Sequence, residues 1–208
     1  MSSIVRTTAG FLFLASLTGL CLGDPPTPAT PVYEENFDSY ADGEQPSSIL
    51  EVQNRQIDSG ETIGGRYAIN NGNRHMLMAT QVKDFDLTFT VEPHPKALRA
   101  PQLVIEFRTD PQGLRGYRIS HWTGTYNRLD LFFWDNTASP PVMQKLASPQ
   151  TPALKLPVSA PVRFRLSVHD SAIELSRDDQ VLLKFTDPNQ APQASAPGNI
   201  TFSSFPAT

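Results

Sequence analysis

The sequence predicts an all-β protein built as a two-sheet antiparallel β-sandwich. Apolar and polar residues alternate along many short runs, which is the period of a strand with one buried face. Clusters of Gly, Pro, Asn and Asp separate these runs at short intervals, as turns do. No run keeps the helical period beyond about two turns, so the pattern favours sheets over helices.

The clearest alternation lies in residues 83–136. Four runs there each place apolar side chains on one face and polar side chains on the other. We expect four consecutive strands of one sheet whose apolar face points to the core. The predicted core residues are Phe85, Leu87, Phe89, Val91, Leu103, Ile105, Phe107, Tyr117, Ile119, Leu129, Leu131 and Phe133.

Other runs predict further strands on either side of this segment. Residues 66–78 indicate a β-hairpin, because Asn-Gly at 71–72 is a strong short hairpin signal. Residues 172–176 and 181–185 indicate a second hairpin across Asp178 and Asp179. Shorter predictions cover a strand and turn at 35–43 and strands at 142–146, 162–168 and 199–205.

The first 23 residues are typical of a secretory signal peptide. Arg6 supplies the positive charge, residues 11–22 supply the apolar stretch, and Cys21 and Gly23 are the small residues before a cleavage point. A Pro-rich linker follows at 24–32, and 33–208 is one β-sandwich domain. We therefore expect a secreted protein, or one of the periplasm or cell envelope.

Composition bounds the chemistry of the mature chain. Cys21 is the only cysteine, so cleavage leaves no disulfide, no thiol nucleophile and no thiolate metal ligand. The formal net charge of −4 becomes −5 once Arg6 is removed, which argues against nucleic acid as a partner. The apolar stretch at 11–22 is shorter than the roughly 20 residues of a membrane-spanning helix, so no membrane span is expected in the mature form.

The sequence predicts no cofactor, with structural calcium as the one alternative. The four histidines are scattered and show no zinc-ligand spacing. Calcium prefers carboxylate and carbonyl oxygens from loops, which makes Glu35, Asp38 and Asp187 its candidate ligands.

The polar face of the central strands is the candidate ligand-binding surface. Flat aromatic rings suit the apolar face of a sugar, and charged groups suit its hydroxyls. The alternative is a solvated face with cross-strand ion pairs. The candidate ligand-binding residues are Glu106, Arg108, Arg118, Trp122, Asp130 and Trp134.

The order of the runs resembles the concanavalin A-like lectin/glucanase jelly roll. More narrowly, it is similar to the laminin-G-like group and to exported domains called 3-keto-disaccharide hydrolase-like. The resemblance rests on Ile-Glu-Phe-Arg at 105–108, Gly-Tyr-Arg-Ile at 116–119 and Gly-Asn-Ile-Thr-Phe at 198–202, with runs at 82–89, 162–166 and 173–175. It implies a jelly roll whose sheet face binds glycans.

Three functions remain open from the sequence. The first is a non-catalytic, secreted carbohydrate-binding module, with a glycan or polysaccharide as partner and no catalytic residues. The second is a glycoside or 3-keto-glycoside hydrolase, in which Glu106 and Asp130 would face each other from neighbouring strands as a carboxylate pair. The lectin/glucanase enzymes usually carry Glu-x-Asp-x-x-Glu on one strand, and this chain has no such run. The third is a structural, protein-interaction domain of the cell envelope.

Overall fold

The computed structural model describes residues 3–6, 37–44, 49–51, 61–62, 67–69, 74–77, 81–93, 102–122, 128–149, 160–188 and 196–205. Within them, fourteen β-strands form two antiparallel seven-stranded sheets, which confirms the predicted all-β sandwich. In chain order the strands are β1 (Ser3–Arg6), β2 (Ile49–Glu51), β3 (Glu61–Thr62), β4 (Tyr67–Ile69), β5 (Arg74–Leu77), β6 (Phe85–Pro93), β7 (Gln102–Thr109), β8 (Arg115–Trp122), β9 (Arg128–Asp135), β10 (Val142–Ala147), β11 (Val162–His169), β12 (Ala172–Arg177), β13 (Gln180–Thr186) and β14 (Asn199–Phe205).

Each sheet has a fixed strand order. The first sheet runs β13-β12-β11-β6-β1-β4-β3, and the second runs β10-β9-β8-β7-β14-β5-β2. Strands distant in the chain therefore lie side by side, as β6 does with β11 and β7 with β14. In the part of the chain that the structure describes, no helix is long and apolar enough to cross a membrane.

The core fills the space between the two sheets. All the predicted core residues line it, with Phe85 and Phe133 partly buried at its margin. Phe89 shows how the sheets meet, since its ring stacks on Phe164 of its own sheet at 5.4 Å and meets Phe202 of the second sheet edge-on at 5.1 Å. Burying each such ring contributes about 1.5–3 kcal/mol.

The prediction of one sheet for residues 83–136 is wrong in one respect. β7, β8 and β9 are consecutive neighbours in the second sheet, but β6 pairs with β11 and β1 in the first. Alternation reports which side of a strand is buried, and β6 buries its apolar side against the same core from the opposite sheet. The sheet that a strand joins depends on its pairing partner, which the local pattern does not encode.

The predicted hairpin at 66–78 is also wrong. β4 pairs with β1 and β3, whereas β5 pairs with β14 and β2, so the two strands belong to different sheets. By contrast, the second predicted hairpin is confirmed as β12 paired with β13. Asp178 and Asp179, at its turn, have φ of 45° and 66°, the left-handed pair that a tight two-residue turn requires.

Gly198 closes one end of the sandwich. It forms two backbone hydrogen bonds with Val82, of 2.9 and 3.1 Å, and so links the approach to β14 with the approach to β6. A Cβ at Gly198 would lie 2.5 Å from the carbonyl carbon of Arg108, which is backbone and cannot move aside cheaply. Only glycine fits this close approach.

Two of the N-terminal predictions, the signal peptide at 1–23 and the strand and turn at 35–43, overlap the described residues. β1 falls inside the predicted signal peptide and pairs with both β4 and β6 in the full-length chain. The predicted linker at 24–32 lies outside the described residues, as do Glu35 and Asn36 of the predicted strand at 35–43. The signal peptide, the linker and export stay predictions.

Candidate functional site

The candidate site is the outer face of the second sheet, the side turned away from the core. Five strands contribute to it, and alternation from the buried apolar residues places every second side chain there. Its side chains on β14, β7, β8, β9 and β10 are Thr201, Ser203, Val104, Glu106, Arg118, Ser120, Trp122, Arg128, Asp130, Phe132, Trp134, Met143 and Lys145.

One row of side chains crosses this face from strand to strand. The register places Thr201 opposite Glu106, Glu106 opposite Arg118, Arg118 opposite Phe132, and Phe132 opposite Lys145. Directly opposed side chains on a sheet face lie close enough to interact. The row therefore combines an acid, two cations and an aromatic ring on neighbouring strands.

Glu106 is a buried anchor within the row. Its Oε1 accepts hydrogen bonds from Arg118 Nε at 2.9 Å and Nη2 at 2.6 Å, and its Oε2 accepts one from Thr201 Oγ1 at 2.9 Å. These charge-assisted hydrogen bonds offset the cost of burying the carboxylate. Glu106 thereby fixes where the guanidinium of Arg118 lies.

Arg118 also covers an aromatic ring. Its guanidinium carbon lies 5.1 Å from the ring centroid of Trp134, within the range of a cation–π contact. Trp134 is consequently buried. The surface above Trp134 is therefore cationic, because the Arg118 guanidinium is exposed there and the indole ring is not.

A second buried acid, Asp130, holds the other two cations of the face. Its Oδ1 accepts a hydrogen bond from Ser148 Oγ at 2.7 Å and lies 3.3 Å from Lys145 Nζ, while its Oδ2 contacts Arg128 Nε. The Lys145 ammonium is also 5.7 Å from the ring centroid of Phe132. Asp130 thus repeats the arrangement at Glu106, a carboxylate beneath with cations above.

Trp122 lies at the other end of the face. It is half-buried and opposite Arg128, and its buried indole Nε1 has no hydrogen-bond partner among the residues that the structure describes. Trp134 pairs with Gly116, six residues along β8 from Trp122, which is about 20 Å. The two tryptophans share a face but do not form a single aromatic platform.

Arg108 does not lie on this face, contrary to the prediction. Its φ is 49°, and the pairing of β7 with β14 shifts register beside it, so the alternation breaks there. The guanidinium is fully buried and donates to Lys83 O at 2.8 Å, Asp170 O at 2.6 Å and Asp84 Oδ1 at 3.0 Å. Arg108 therefore links β7 of the second sheet to two loops of the first sheet: the one that precedes β6 and the one between β11 and β12.

The surroundings of Arg108 and Asp84 shift the pKa values of both groups. Burial lowers the pKa of Arg108, an effect that the Asp84 carboxylate opposes. The backbone N–H of Asp170, at 2.8 Å, is the main reason that the pKa of Asp84 lies below its ordinary value. Both groups act structurally, through the hydrogen bonds that Arg108 donates to Asp84 and to two backbone carbonyls.

The proposed carboxylate pair is also arranged differently from the prediction. Glu106 is on β7 and Asp130 is on β9, and β8 lies between them, so the two strands are not neighbours. Two strand spacings separate them by about 10 Å, with a further offset along the strands. Each carboxylate is already engaged by a cation.

Two of the three calcium candidates, Asp38 and Asp187, lie within the described residues. Asp187 is buried and accepts a hydrogen bond from the hydroxyl of Tyr117 at 2.7 Å, Asp38 is exposed, and Glu35 lies outside the described residues. Burial raises the pKa of Tyr117, and its hydrogen bond to Asp187 adds to the shift. The described ranges contain no group of three His, Cys, Asp or Glu side chains placed to hold a metal, and calcium stays a prediction.

Sequence reasoning missed a groove on the outer face of the first sheet. A shallow cavity of about 170 Å³ lies there, and Asp86 at its margin accepts a hydrogen bond from Arg165 at 3.0 Å and contacts His169 Nε2 at 3.2 Å. The alternation of polar residues along β11 and β12 is the sequence pattern that could have predicted this polar outer face. The cavity lining includes Arg165, Ser167, His169, Glu174, Ser176 and Lys184.

Sequence reasoning also missed Thr201, Ser148 and Lys145 on the second sheet. The alternation of β14 would have placed Thr201 on the outer face, because Ile200 and Phe202 beside it are core residues. Its contact with Glu106 depends on the pairing of β14 with β7, across 95 residues of chain.

No protein-family model and no curated protein sequence matches this chain. Solved structures do match it. Carbohydrate-binding module CBM66 from Bacillus subtilis matches with a TM-score of 0.52 and 15% identity, covering 76% of this chain and 92% of that one. LamAcat from Zobellia galactanivorans (11% identity, 82% of this chain, 84% of that one) and the β-glucanase of Bacillus licheniformis (11%, 83% and 83%) also match with a TM-score of 0.52.

These identities are low, so the likeness concerns the fold. It confirms the concanavalin A-like jelly-roll sandwich that the sequence predicted.

Proposed function

We propose that this protein is a non-catalytic carbohydrate-binding module whose ligand lies across the outer face of the second sheet. One observation carries the proposal: aromatic side chains alternate with ion-paired polar groups across that face, between Trp122 on β8 and Lys145 on β10. Aromatic rings suit the apolar face of a sugar ring, and oriented N–H donors suit its hydroxyls.

Trp122 is the central contact of this proposal. Its side chain is half-buried on the outer face, so part of the indole is open to a ligand. A sugar ring can pack its apolar face against the exposed part of the indole. The solved carbohydrate-binding module and β-glucanase with the same fold support a glycan as the ligand class.

The non-catalytic form is supported by the state of the two acids. Glu106 and Asp130 are buried beneath cations, and general acid–base catalysis needs carboxyl groups that reach the scissile bond. The alternative, a glycoside or 3-keto-glycoside hydrolase, draws on the same fold likeness to the β-glucanase. A structural, protein-interaction domain of the cell envelope is the third function.

Affinity electrophoresis of the purified protein in gels containing a panel of soluble polysaccharides tests the proposal. We expect retardation by at least one polysaccharide, and a loss of tenfold or more in affinity for Trp122→Ala. Lys184→Ala, on the outer face of the first sheet, is the matched control and should bind normally. Thermal unfolding of each variant separates lost binding from lost folding.

Two outcomes would contradict the proposal. If no polysaccharide retards the protein, or if Trp122→Ala binds as the wild type does, the second-sheet face is not a glycan site. Release of new reducing ends, abolished by Glu106→Gln in a folded variant, would instead favour the hydrolase.

Export belongs to the same proposal. N-terminal sequencing of protein recovered from outside the cytoplasm should begin at Asp24, after the predicted cleavage. A chain there that retains Met1 would show that the first 23 residues, including β1, stay with the sandwich.

A further inference from the structure

The second-sheet outer face exposes one sign of charge. The side chains of Arg118, Arg128 and Lys145 are 33%, 44% and 44% exposed, whereas those of Glu106 and Asp130 are 2% and 0% exposed. The charge that reaches solvent on this face is therefore positive, although the chain as a whole carries a formal charge of −4. An incoming ligand meets the cations first, because the carboxylates lie beneath them.

The guanidinium groups on this face have N–H donors that a ligand can use. Arg118 uses Nε and Nη2 on Glu106, and its Nη1 donates to no acceptor among the described residues. Arg128 contacts Asp130 through Nε, and its side chain is 44% exposed. A guanidinium with free donors on its planar edge matches the paired oxygens of a carboxylate or a sulfate.

The buried acids make these donors more selective. Glu106 and Asp130 hold the cations in place before the ligand arrives, so less side-chain entropy is lost on binding. The carboxylate oxygens of Glu106 and Asp130 already accept hydrogen bonds or contact cations. A neutral ligand would therefore gain few hydrogen bonds from these two acids.

The cations form two centres on the face, with Arg118 at Glu106 and with Arg128 and Lys145 together at Asp130. Arg118 and Lys145 flank Phe132 from the two neighbouring strands, about 10 Å apart by strand spacing. Arg128 and Lys145 both contact the carboxylate of Asp130, so their charged groups lie close together. Two separate cationic centres suit repeated acidic groups along a polymer, because one small anion would reach only one of them.

From this arrangement, and resting on the proposed function, we propose that the ligand is an acidic polysaccharide that carries carboxylate or sulfate groups along its chain. Its acidic groups pair with Arg118, Arg128 and Lys145, while its sugar rings contact Trp122 and Phe132.

Matched polymers with a common backbone test this inference. The full-length protein is compared on dextran, carboxymethyl-dextran and dextran sulfate, at about 50 and 300 mM salt, because screening shortens the reach of charge at the higher concentration. We expect at least tenfold tighter binding to one acidic polymer than to dextran, and a clear loss of that preference at high salt. Comparing carboxymethyl-dextran with dextran sulfate shows whether the protein prefers carboxylate or sulfate groups.

Variants assign the effect to this face. Arg128→Gln and Lys145→Gln should each weaken binding to the acidic polymer at least fivefold and reduce its salt dependence. Lys184→Gln and Arg165→Gln remove the same charge from the first-sheet outer face and should leave binding unchanged. Thermal unfolding confirms that all four variants are folded.

The outcomes separate this inference from the proposed function. Retention by neutral polysaccharides equal to or stronger than that by acidic ones overturns the inference and leaves the glycan proposal standing, whereas retention by none contradicts both. Equal retention by polyglutamate, lost in Arg128→Gln, would show a general polyanion surface and also overturns the acidic-polysaccharide assignment.

Discussion

The two outer faces of the sandwich carry the same kinds of residues in different arrangements. On the first sheet, Arg165 pairs with Asp86 and Lys184 pairs with Glu174, and all four side chains are at least one-third exposed. On the second sheet, Glu106 and Asp130 are buried while their cationic partners stay partly exposed. The first face therefore shows solvent both signs of charge, and the second shows mainly one.

This difference should have energetic consequences. Exposed ion pairs contribute about 0–1 kcal/mol, because water screens them and ordering long side chains costs entropy. A buried carboxylate that loses its charge or its partners costs several times more, because the groups around it are left unsatisfied. Alternating polar residues alone do not distinguish the two cases.

The largest expected effect is at the buried acid. Glu106→Gln should lower the free energy of unfolding by about 3 kcal/mol, because the change removes the buried charge to which both Arg118 and Thr201 donate hydrogen bonds. Glu174→Gln, the matched change on the first sheet, should alter it by less than about 0.5 kcal/mol. Urea unfolding at neutral pH measures both, and equal effects would abolish the contrast between the faces.

A smaller effect should appear at the neutral partners of the acids. Thr201→Val removes the hydroxyl that donates to the buried Glu106 and should cost about 1.5–2 kcal/mol. Ser167→Ala removes a hydroxyl bonded to the partly exposed Asp86 and should cost about 0.5 kcal/mol. A double-mutant cycle of Thr201→Val with Glu106→Gln should show coupling, and strict additivity would mean that the two residues do not act together.

The smallest expected effect is the acid sensitivity of the first-sheet face. Burial opposes the charged form of Asp86, yet hydrogen bonds from Ser167 and Arg165 outweigh it and lower the pKa of Asp86 below 3.8. The folded state therefore binds the proton less readily than the unfolded state, so Asp86 stabilises the fold above the unfolded pKa and loses this contribution as pH falls through the folded pKa. Its partial exposure keeps the contribution below about 1 kcal/mol.

Urea unfolding of the wild type and Asp86→Asn between about pH 2 and 6 tests this sign. The variant should be the less stable of the two at pH 6, and the difference should shrink toward pH 2. A gap that widens on acidification would mean that the folded pKa of Asp86 is raised.

Much of the core and of the candidate face could be predicted from local alternation. Once Leu103, Ile105 and Phe107 are assigned to the core, Glu106 must point outward, and the same reasoning places Arg118 and Asp130 beside it. The reasoning failed at Arg108, where a left-handed φ and a register shift interrupt the strand. The close approach of Gly198 to that backbone comes from 90 residues further along, beyond the reach of any local pattern.

The sequence by itself determined that the chain forms strands, which side of each central strand is buried, and that acids, cations and indoles lie on the side opposite the core. The tertiary structure alone decided which sheet β6, β4 and β5 joined, and that Glu106 and Asp130 are buried beneath the cations. The physical reason is the distance along the chain over which each property is set. The side on which a residue points follows from its nearest neighbours along the chain, whereas the depth of a charge depends on strands brought together from distant positions.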